Sequence, residues 1–530
     1  MRRSLRRLVL AASASCVLVV VHSLVACTGD DPNLSPENGD AAQPLGDGGG
    51  GPQGDGAGGE GGVSTDLSVT PKTFDVARGA KATLKLHGAP GATVAIATEG
   101  ATLADGGAPL PTSPVTAPSS VTLDAIGNAS VDLVAAADAP QQGVKVTFVV
   151  SGASQSITGR VIGKPGDLDQ FFGKGVGYVD FDVEPSVTIP NSILVQPDGK
   201  ILVAGDTNND MFVARFDGTG AVDPTFGTTG HVVHGTAQAP TMALLADGSI
   251  VLAALPGAPN SPRVWLLSSA GAFSDAWGGM TGYSQSQLGF DSTAVVATGG
   301  AIFVGGIENG TRQNSVVLKY FPDAGRDDTW GSNGTQSTPE TNMTLAAIAA
   351  FTVDSSSKLW ATGGAQTTAG SIAYALDLRF TATGGADIDA PLQAGTGLAI
   401  AAQGTKAIIS ASDAASTKGF LFRNAGQGVP LDPSFGDSTT HYVDLGNGIA
   451  TSIAVDASNR ILAVSGGAHT TFDVLRFDAD GHPDPAFGAN GVASIKGFAI
   501  ALAVSGSFVY AVGKDDVASP QKARLARFWN

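Results

Sequence analysis

The sequence has few cysteines, few charged residues and few aromatic residues. Of these shortages, that of cysteine excludes the largest number of possible sites. Only two of its 530 residues are cysteine, Cys16 and Cys27, and both lie among the first 30 positions. The rest of the chain therefore cannot form a disulfide, a cysteine-ligated zinc site or a thiol nucleophile. A fold of this length must then be stabilised by burial and sheet hydrogen bonds, which favours a large β-architecture.

Basic residues are also scarce. Lys and Arg number 30 against 47 Asp and Glu, which gives a formal net charge of −17. An acidic surface repels phosphate backbones, so we do not expect a nucleic-acid partner.

The usual signatures of catalysis are absent from the sequence as well. It contains no GxSxG, no HExxH, no Walker loop and no dinucleotide fingerprint between a strand and a helix. His231 and His234 are three apart on a predicted strand, so their side chains should point to opposite faces and not share a metal. We therefore expect neither an enzyme nor a cofactor.

The N-terminus carries a targeting segment. Four arginines within the first seven positions precede an apolar run from Leu8 to Ala26, which is the order of an export signal. The run ends in Leu24-Val-Ala-Cys27, which resembles the lipobox of bacterial lipoproteins. The resemblance implies that residues 1–26 are a signal peptide and that acylated Cys27 anchors the protein in a lipid bilayer. An ordinary secretory signal and an uncleaved membrane anchor are the alternatives.

Two regions follow the signal. Residues 27–63 contain eleven glycines between Gly46 and Gly62, and a segment so poor in apolar residues is predicted to be a disordered tether. The tether has no Asp directly after Cys27, which in known lipoproteins favours the outer membrane or cell surface. Residues 64–163 alternate apolar and polar residues between turn sequences, which predicts a small β-sandwich. That region resembles bacterial immunoglobulin-like modules.

A repeat fills residues 166–530. Its first element is an Asp-x-x-aromatic-Gly motif in which the aromatic residues are 54, 51, 53, 105 and 52 positions apart. The long step is two periods, and Asp387-Ile-Asp-Ala-Pro391 is the degenerate copy, so the sequence predicts seven repeats. The motif copies begin at Asp169, Asp223, Asp275, Asp327, Asp432 and Asp484, and the third is one residue shorter, Asp275-Ala-Trp-Gly278. Two more elements keep the same phase, Asp198-Gly-Lys-Ile-Leu-Val-Ala-Gly205 and Ala214-Arg-Phe216.

These three elements together resemble the delta-sixty repeat of bacterial surface and secreted proteins. The resemblance implies propeller blades and no agreed biochemical activity.

The same fold is predicted without the resemblance. Each period offers four short strands, which for the first blade fall near 192–196, 200–205, 212–217 and 231–234. We therefore predict an all-β protein in which a sandwich precedes a seven-bladed β-propeller. A parallel β-helix is the alternative, but its coils are usually shorter. The last repeat lacks a fourth strand, so residues 177–181 are predicted to close the ring against 523–528.

The loops after each second strand vary between copies, whereas the motif turns do not. A scaffold with one variable loop set is typical of a binding platform. Candidate ligand contacts are Asp206, Asn208, Asp210, Glu308 and Arg312, whose groups suit a glycan or protein ligand. Asp206, Asn208 and Asp210 also have the alternate spacing of a calcium loop. Since the following Gly and the distal Glu are missing, a polar turn is the preferred interpretation and no metal is expected.

These observations favour a surface-anchored lipoprotein that acts as a binding or adhesion scaffold with an unidentified ligand. An envelope structural or assembly component is the second hypothesis. A propeller glycosidase or lyase is the third, because no paired acid and base can be singled out.

Overall fold

The computed structural model divides the chain into two compact units, one formed by Cys27–Ile162 and one that contains Gly163–Asn530. It describes residues 67–101, 112–184, 187–208, 210–235, 237–256, 263–274, 290–298, 300–308, 314–323, 325–338, 343–367, 373–424, 426, 431–465, 471–515 and 522–530. Within these ranges the regular structure is entirely β, and no helix has the length and apolarity needed to cross a membrane. The predicted signal peptide, Cys27 and most of the predicted tether lie outside the described residues.

The described residues of the smaller unit form a β-sandwich of nine strands. One sheet has the order β1-β3-β7-β5, and the other has the order β2-β9-β8-β4-β6, in which β2 runs parallel to β9. Apolar residues alternate along the strands, and those of both sheets meet in one buried core that includes Leu84, Val131, Val146 and Phe148. The strands are β1 (Ser68–Thr70), β2 (Thr73–Ala77), β3 (Lys81–His87), β4 (Thr93–Ala101), β5 (Val115–Thr116), β6 (Ser120–Thr122), β7 (Asn128–Ala135), β8 (Gln142–Val150) and β9 (Ala153–Ile162).

In the described part of the larger unit the strands form seven antiparallel sheets, which we number along the chain. Sheet 1 consists of β11 (Thr188–Val195), β12 (Ile201–Thr207), β13 (Asp210–Phe216) and β14 (His231–His234). Sheet 2 consists of β15 (Ala237–Leu244), β16 (Ile250–Pro256) and β17 (Arg263–Leu267). Sheet 3 consists of β18 (Phe290–Thr298), β19 (Ala301–Glu308), β20 (Ser315–Tyr320) and β21 (Thr335–Thr338). Sheet 4 consists of β22 (Met343–Val353), β23 (Leu359–Thr367), β24 (Ala373–Phe380) and β25 (Ala386–Ala394). Sheet 5 consists of β26 (Thr396–Gln403), β27 (Lys406–Ser412), β28 (Gly419–Asn424) and β29 (Tyr442–Asp444).

Sheet 6 is β30 (Ala450–Val455), β31 (Ile461–Ser465), β32 (Thr471–Phe477) and β33 (Val492–Lys496). Sheet 7 combines β34 (Phe498–Ser505), β35 (Phe508–Lys514) and β36 (Ala523–Trp529) with β10 (Tyr178–Phe181) from far earlier in the chain. The first strand of each sheet packs against the first strand of the next, and β34 packs against β11, so the sheets form a ring. A ring of sheets around an axis is a β-propeller.

The first sheet shows where the sequence prediction of strands was accurate. The predicted fourth strand, 231–234, has the bounds of β14, and the second and third are displaced by one or two residues. The first strand begins at Thr188, four residues earlier than predicted, because its pairing with β12 continues past a bulge between Pro190 and Ser192 as far as Thr207.

Residues 177–181 were predicted to pair with the end of the chain, and β10 lies there. Tyr178 pairs with Ala526, and Phe181 pairs with Ala523. An ion pair between Arg524 and Asp180 lies within this strand pairing, and one between Lys522 and Asp182 lies just beyond its end. Arg527 of β36 also forms an ion pair with Asp169, in the segment that precedes β10.

Candidate functional site

The strand directions give the propeller two different ends. In sheets 1, 3, 4, 5 and 6 the hairpin between the first and second strands lies at the same end as the connection between the third and fourth. We call this the hairpin end. The connection between the second and third strands, and the start of each first strand, lie at the opposite end, which we call the loop end. The repeated motif and the variable loops therefore occupy opposite ends.

The hairpin end is built from the Asp-x-x-aromatic-Gly motif, as the junction between sheets 1 and 2 illustrates. The guanidinium of Arg215, on β13, forms an ion pair with Asp223 at 2.8 Å and lies 4.7 Å from the centre of the Phe226 ring. Asp223 also accepts hydrogen bonds from the backbone and hydroxyl of Thr225. Hydrogen bonding to Thr225, together with the charge of Arg215, holds the pKa of Asp223 well below its usual range.

The same motif joins its own sheet to the next one. Arg215 donates to the Ser269 carbonyl of sheet 2, and the amide of Gly227 donates to the Ala270 carbonyl at 2.9 Å. The Phe226 ring is fully buried against Gly271, where a side chain would overlap it. The motif therefore connects neighbouring sheets through hydrogen bonds and packing, and its buried aromatic residue is not accessible to a ligand.

Five described junctions use this arrangement. In each, the motif glycine donates to a carbonyl of the following sheet, and a cation of the third strand pairs with the motif aspartate. The glycine–carbonyl pairs are Gly173–Thr219, Gly227–Ala270, Gly331–Thr383, Gly436–Asp480 and Gly488–Pro165. The ion pairs are Arg527–Asp169, Arg215–Asp223, Lys319–Asp327, Arg423–Asp432 and Arg476–Asp484. The copy at Asp275 lies outside the described residues.

The junction between sheets 4 and 5 is built differently. The degenerate copy at residues 387–391 lies within the continuous strand β25. A fully buried carboxylate, Asp377, instead accepts a hydrogen bond from the side-chain amide of Asn424 in sheet 5. Asp377 stands where the third strands of sheets 1, 3 and 6 carry valine. Burial raises its pKa to about 7, and its Oδ1 has no hydrogen-bond partner among the described residues.

At the loop end the most informative sequence candidate is Asp206, near the end of β12. Its carboxylate accepts one hydrogen bond from the side-chain amide of Asn191 at 2.9 Å and one from the backbone of Ala239 in sheet 2 at 2.7 Å. Burial raises its pKa to about 6, although both hydrogen bonds stabilise the charged form. Asp206 thus contributes to the junction of sheets 1 and 2 while remaining partly accessible.

The structure does not gather the other sequence candidates around Asp206. Asn208 is exposed with a positive φ of 49°, and Asp210 approaches Gly235 on the outer side of sheet 1. Glu308 ends β19, but its side chain, like the whole of Arg312, lies outside what the structure describes. In the described part of the chain no three His, Cys, Asp or Glu side chains are grouped closely enough to hold a metal ion.

Sequence reasoning missed Lys514, the last residue of β35. It is partly buried at the loop end, and burial lowers the pKa of its ammonium group while the charge of Asp206 opposes that shift. The strand register places Lys514 in sheet 7 at the position that Asp206 holds in sheet 1, since each follows a glycine that faces a bulged first strand. Aligning the copies beyond Gly205 and Gly513 would have shown this acid and base at one repeat position.

Comparison with known proteins supports the propeller architecture. Residues 196–226 match the family model described as "Domain of unknown function (DUF5122) beta-propeller". That segment runs from the first hairpin of sheet 1 to the motif aromatic Phe226. No curated protein matches the chain.

Several solved structures are similar to the chain at low identity. Hadza microbial sialidase Hz136 is 10% identical, with 83% of this chain and 90% of that chain covered and a TM-score of 0.38. A quinonprotein alcohol dehydrogenase-like protein from Bacteroides thetaiotaomicron is 10% identical, with coverage of 81% and 96% and a TM-score of 0.34. The polysaccharide lyase Uly1 is 12% identical, with coverage of 73% and 85% and a TM-score of 0.33.

Proposed function

We propose that this chain is a surface-anchored lipoprotein whose propeller is a binding scaffold, with the ligand held at the loop end. In this proposal Cys27 is acylated and tethers the protein to the outer membrane or cell surface, and residues 27–63 separate the folded units from the bilayer. The sandwich is an immunoglobulin-like spacer. The seven sheets are the blades of one delta-sixty propeller.

The observation that carries the proposal is the contrast between the two ends of the ring. At the hairpin end the same motif atoms are engaged in five described junctions, so the repeated residues have a structural role. At the loop end one register position carries a different residue in each sheet where the pairing defines it: Asp206, Ile307, Gly364, Ser412 and Lys514. A fixed scaffold that presents variable side chains at one end is typical of a recognition surface.

The division of the sandwich strands supports the spacer part of the proposal. The adjacent strands β1 and β2 are separated by only two residues, yet they belong to opposite sheets. A first strand split between two sheets that share one core is compatible with an immunoglobulin-like sandwich.

The proposal is tested by exchanging loops at one end of the ring and hairpins at the other. In one variant, residues 257–262, 309–313 and 466–470 are replaced by Gly-Ser sequences. The matched control replaces the exposed hairpin residues Asp198 and Asp247, at the hairpin end, by serine. Retention of each protein on cell-wall and matrix glycans is then measured, with the melting temperature as a check on folding.

We expect the loop variant to lose retention and the hairpin control to keep it. If retention survives in the loop variant but disappears when residues 65–162 are deleted, the sandwich is the binding unit and the proposed role of the propeller is wrong.

A further inference from the structure

Lys514 differs from the other partly buried lysines of the propeller in having no hydrogen-bonding or ion-pair partner among the described residues. Lys200, Lys319 and Lys406 each lie within 3.3 Å of a motif aspartate. Lys522 lies 3.2 Å from Asp182. Withdrawing an ammonium group from water is unfavourable unless it is paired, so an unpaired, half-buried lysine is a candidate for contact with a ligand.

Asp206 holds the equivalent register position in the adjacent sheet 1, whose first strand, β11, packs against β35, the strand that ends in Lys514. Each group changes the titration of the other, although the two do not form a direct ion pair. Asn191 and Ala239 occupy one acceptor position on each oxygen of the Asp206 carboxylate. An ionised carboxylate has about four acceptor positions, so Asp206 can accept from another group. An ammonium group has three protons to donate.

The two side chains together offer donors and acceptors within one partly shielded region. A hydroxyl group can accept from Lys514, and a neighbouring hydroxyl of the same molecule can donate to Asp206. A ligand carboxylate would instead approach a carboxylate of the protein, and the protein carries a net charge of −17. Charge and hydrogen-bonding capacity both favour an uncharged, hydroxyl-rich ligand over an acidic one.

We propose that Lys514 and Asp206 form a subsite at the loop end, between sheets 7 and 1, that binds neighbouring hydroxyl groups of a neutral glycan. The inference rests on the proposed function and adds the ligand class and two contact residues to it. Lys514 is a ligand-binding residue in this scheme. Asp206 both contacts the glycan and positions Asn191 and the start of sheet 2.

The test uses the folded, full-length mature protein and an array of neutral and uronate-bearing oligosaccharides. The affinity of the neutral oligosaccharide that binds most strongly is then measured by calorimetric titration with the wild-type protein and the variants Lys514→Met and Asp206→Asn. Lys496→Met is the matched control, since Lys496 is exposed on β33 and its side chain has no partner among the described residues. A hydrogen bond to a charged group contributes enough that Lys514→Met should weaken binding about tenfold or more, and the control should bind as wild type.

A second measurement avoids any loss of folding in a variant. The rate of reductive methylation at Lys514 is followed by mass spectrometry in wild-type protein, with and without the neutral oligosaccharide. Binding should slow methylation of Lys514 and leave that of Lys496 unchanged.

The outcomes separate the subsite from the broader function. If Lys514→Met binds as wild type and Lys514 is not protected, while the loop variant loses binding, the subsite is wrong and the binding scaffold stands. A preference for uronate-bearing oligosaccharides, or no binding of any neutral one, refutes the ligand class. If the loop variant retains glycans fully and neither Lys514→Met nor Asp206→Asn weakens binding, the loop end is not the binding surface and both proposals fail.

Discussion

Replacing Asp377 by asparagine should stabilise the propeller at alkaline pH and have little effect at acidic pH. Asp377 is fully buried at the junction of sheets 4 and 5, and its described hydrogen-bond partner is the uncharged amide of Asn424. An asparagine of nearly the same shape can accept that hydrogen bond. It removes the negative charge that burial disfavours.

The magnitude follows from the shift in pKa. Burial raises the pKa of Asp377 from 3.8 to about 7, so the folded protein holds a proton that the unfolded chain releases. The resulting stability is fully present below pH 3.8 and is lost as the pH rises to about 7. A difference of one in pKa between the folded and unfolded states corresponds to about 1.4 kcal/mol. Ionisation of this carboxyl group therefore lowers the free energy of unfolding at pH 8 by up to about 4 kcal/mol relative to acidic pH.

The assay is urea unfolding of wild type and Asp377→Asn between pH 5 and pH 8, followed by tryptophan fluorescence. All five tryptophans lie beyond residue 264, so the signal reports the propeller and not the sandwich. Asp247→Asn is the control, because Asp247 is exposed on a hairpin and its replacement changes no buried charge.

The difference between variant and wild type should grow from pH 5 to about pH 7 and level off between pH 7 and pH 8. The control difference should stay constant over the same range. A difference for Asp377→Asn that does not change with pH would mean that the carboxylate is already compensated, and the account of this junction would be wrong.

Three further predictions concern the motif, the ring closure and the anchor. Phe226→Ala should lower the free energy of unfolding by about 3–5 kcal/mol in urea titrations, because the ring is fully buried, whereas Phe321→Ala, at a residue 45% exposed, should change it little. Asp180→Ala leaves the buried Arg524 without its bidentate partner and should lower the same free energy by about 1–3 kcal/mol, an effect that Asp180→Glu should partly restore. Metabolic labelling with a lipid precursor should mark the wild type but not Cys27→Ala, and equal labelling would disprove acylation at that residue.

The architecture of the propeller could be predicted because each repeat carries local signals. Asp198-Gly199 requires a positive φ that Gly199 adopts at 81°, and the hairpin between β11 and β12 forms there. The period of the repeat then predicted that residues 177–181 pair with residues 523–528. Both inferences depend on turn chemistry and phase, which are properties of sequence alone.

The bulges in the first strands could not be predicted. Every first strand of the propeller shifts register at least once against its second strand, as between Pro190 and Ser192. The extra residue is accommodated because Gly205 has no side chain to collide with the Ile189 carbonyl. The sequence shows that glycine but not the close approach that requires it.

The candidate site was predicted only in part. Asp206 was chosen for its spacing with Asn208 and Asp210, but its neighbours are Asn191 and Ala239 from other strands. Lys514 was missed because its relation to Asp206 joins residues about 300 positions apart in the chain. Sheets 7 and 1 become neighbours only when the ring closes, so the relation between these two residues can be seen only in the tertiary structure.

The pairing of β10 with β36 also determines the order in which the propeller can be completed. Asp180 and Arg524 are 344 residues apart, and closing a loop of that length costs about 5 kcal/mol plus a constant in chain entropy. Contacts within sheets 1 to 6 are local and can form earlier, whereas sheet 7 must wait for both ends of the domain. The first strand of the propeller to be synthesised is therefore the last to find its partner, and until then it presents an unpaired edge that is open to association with other chains.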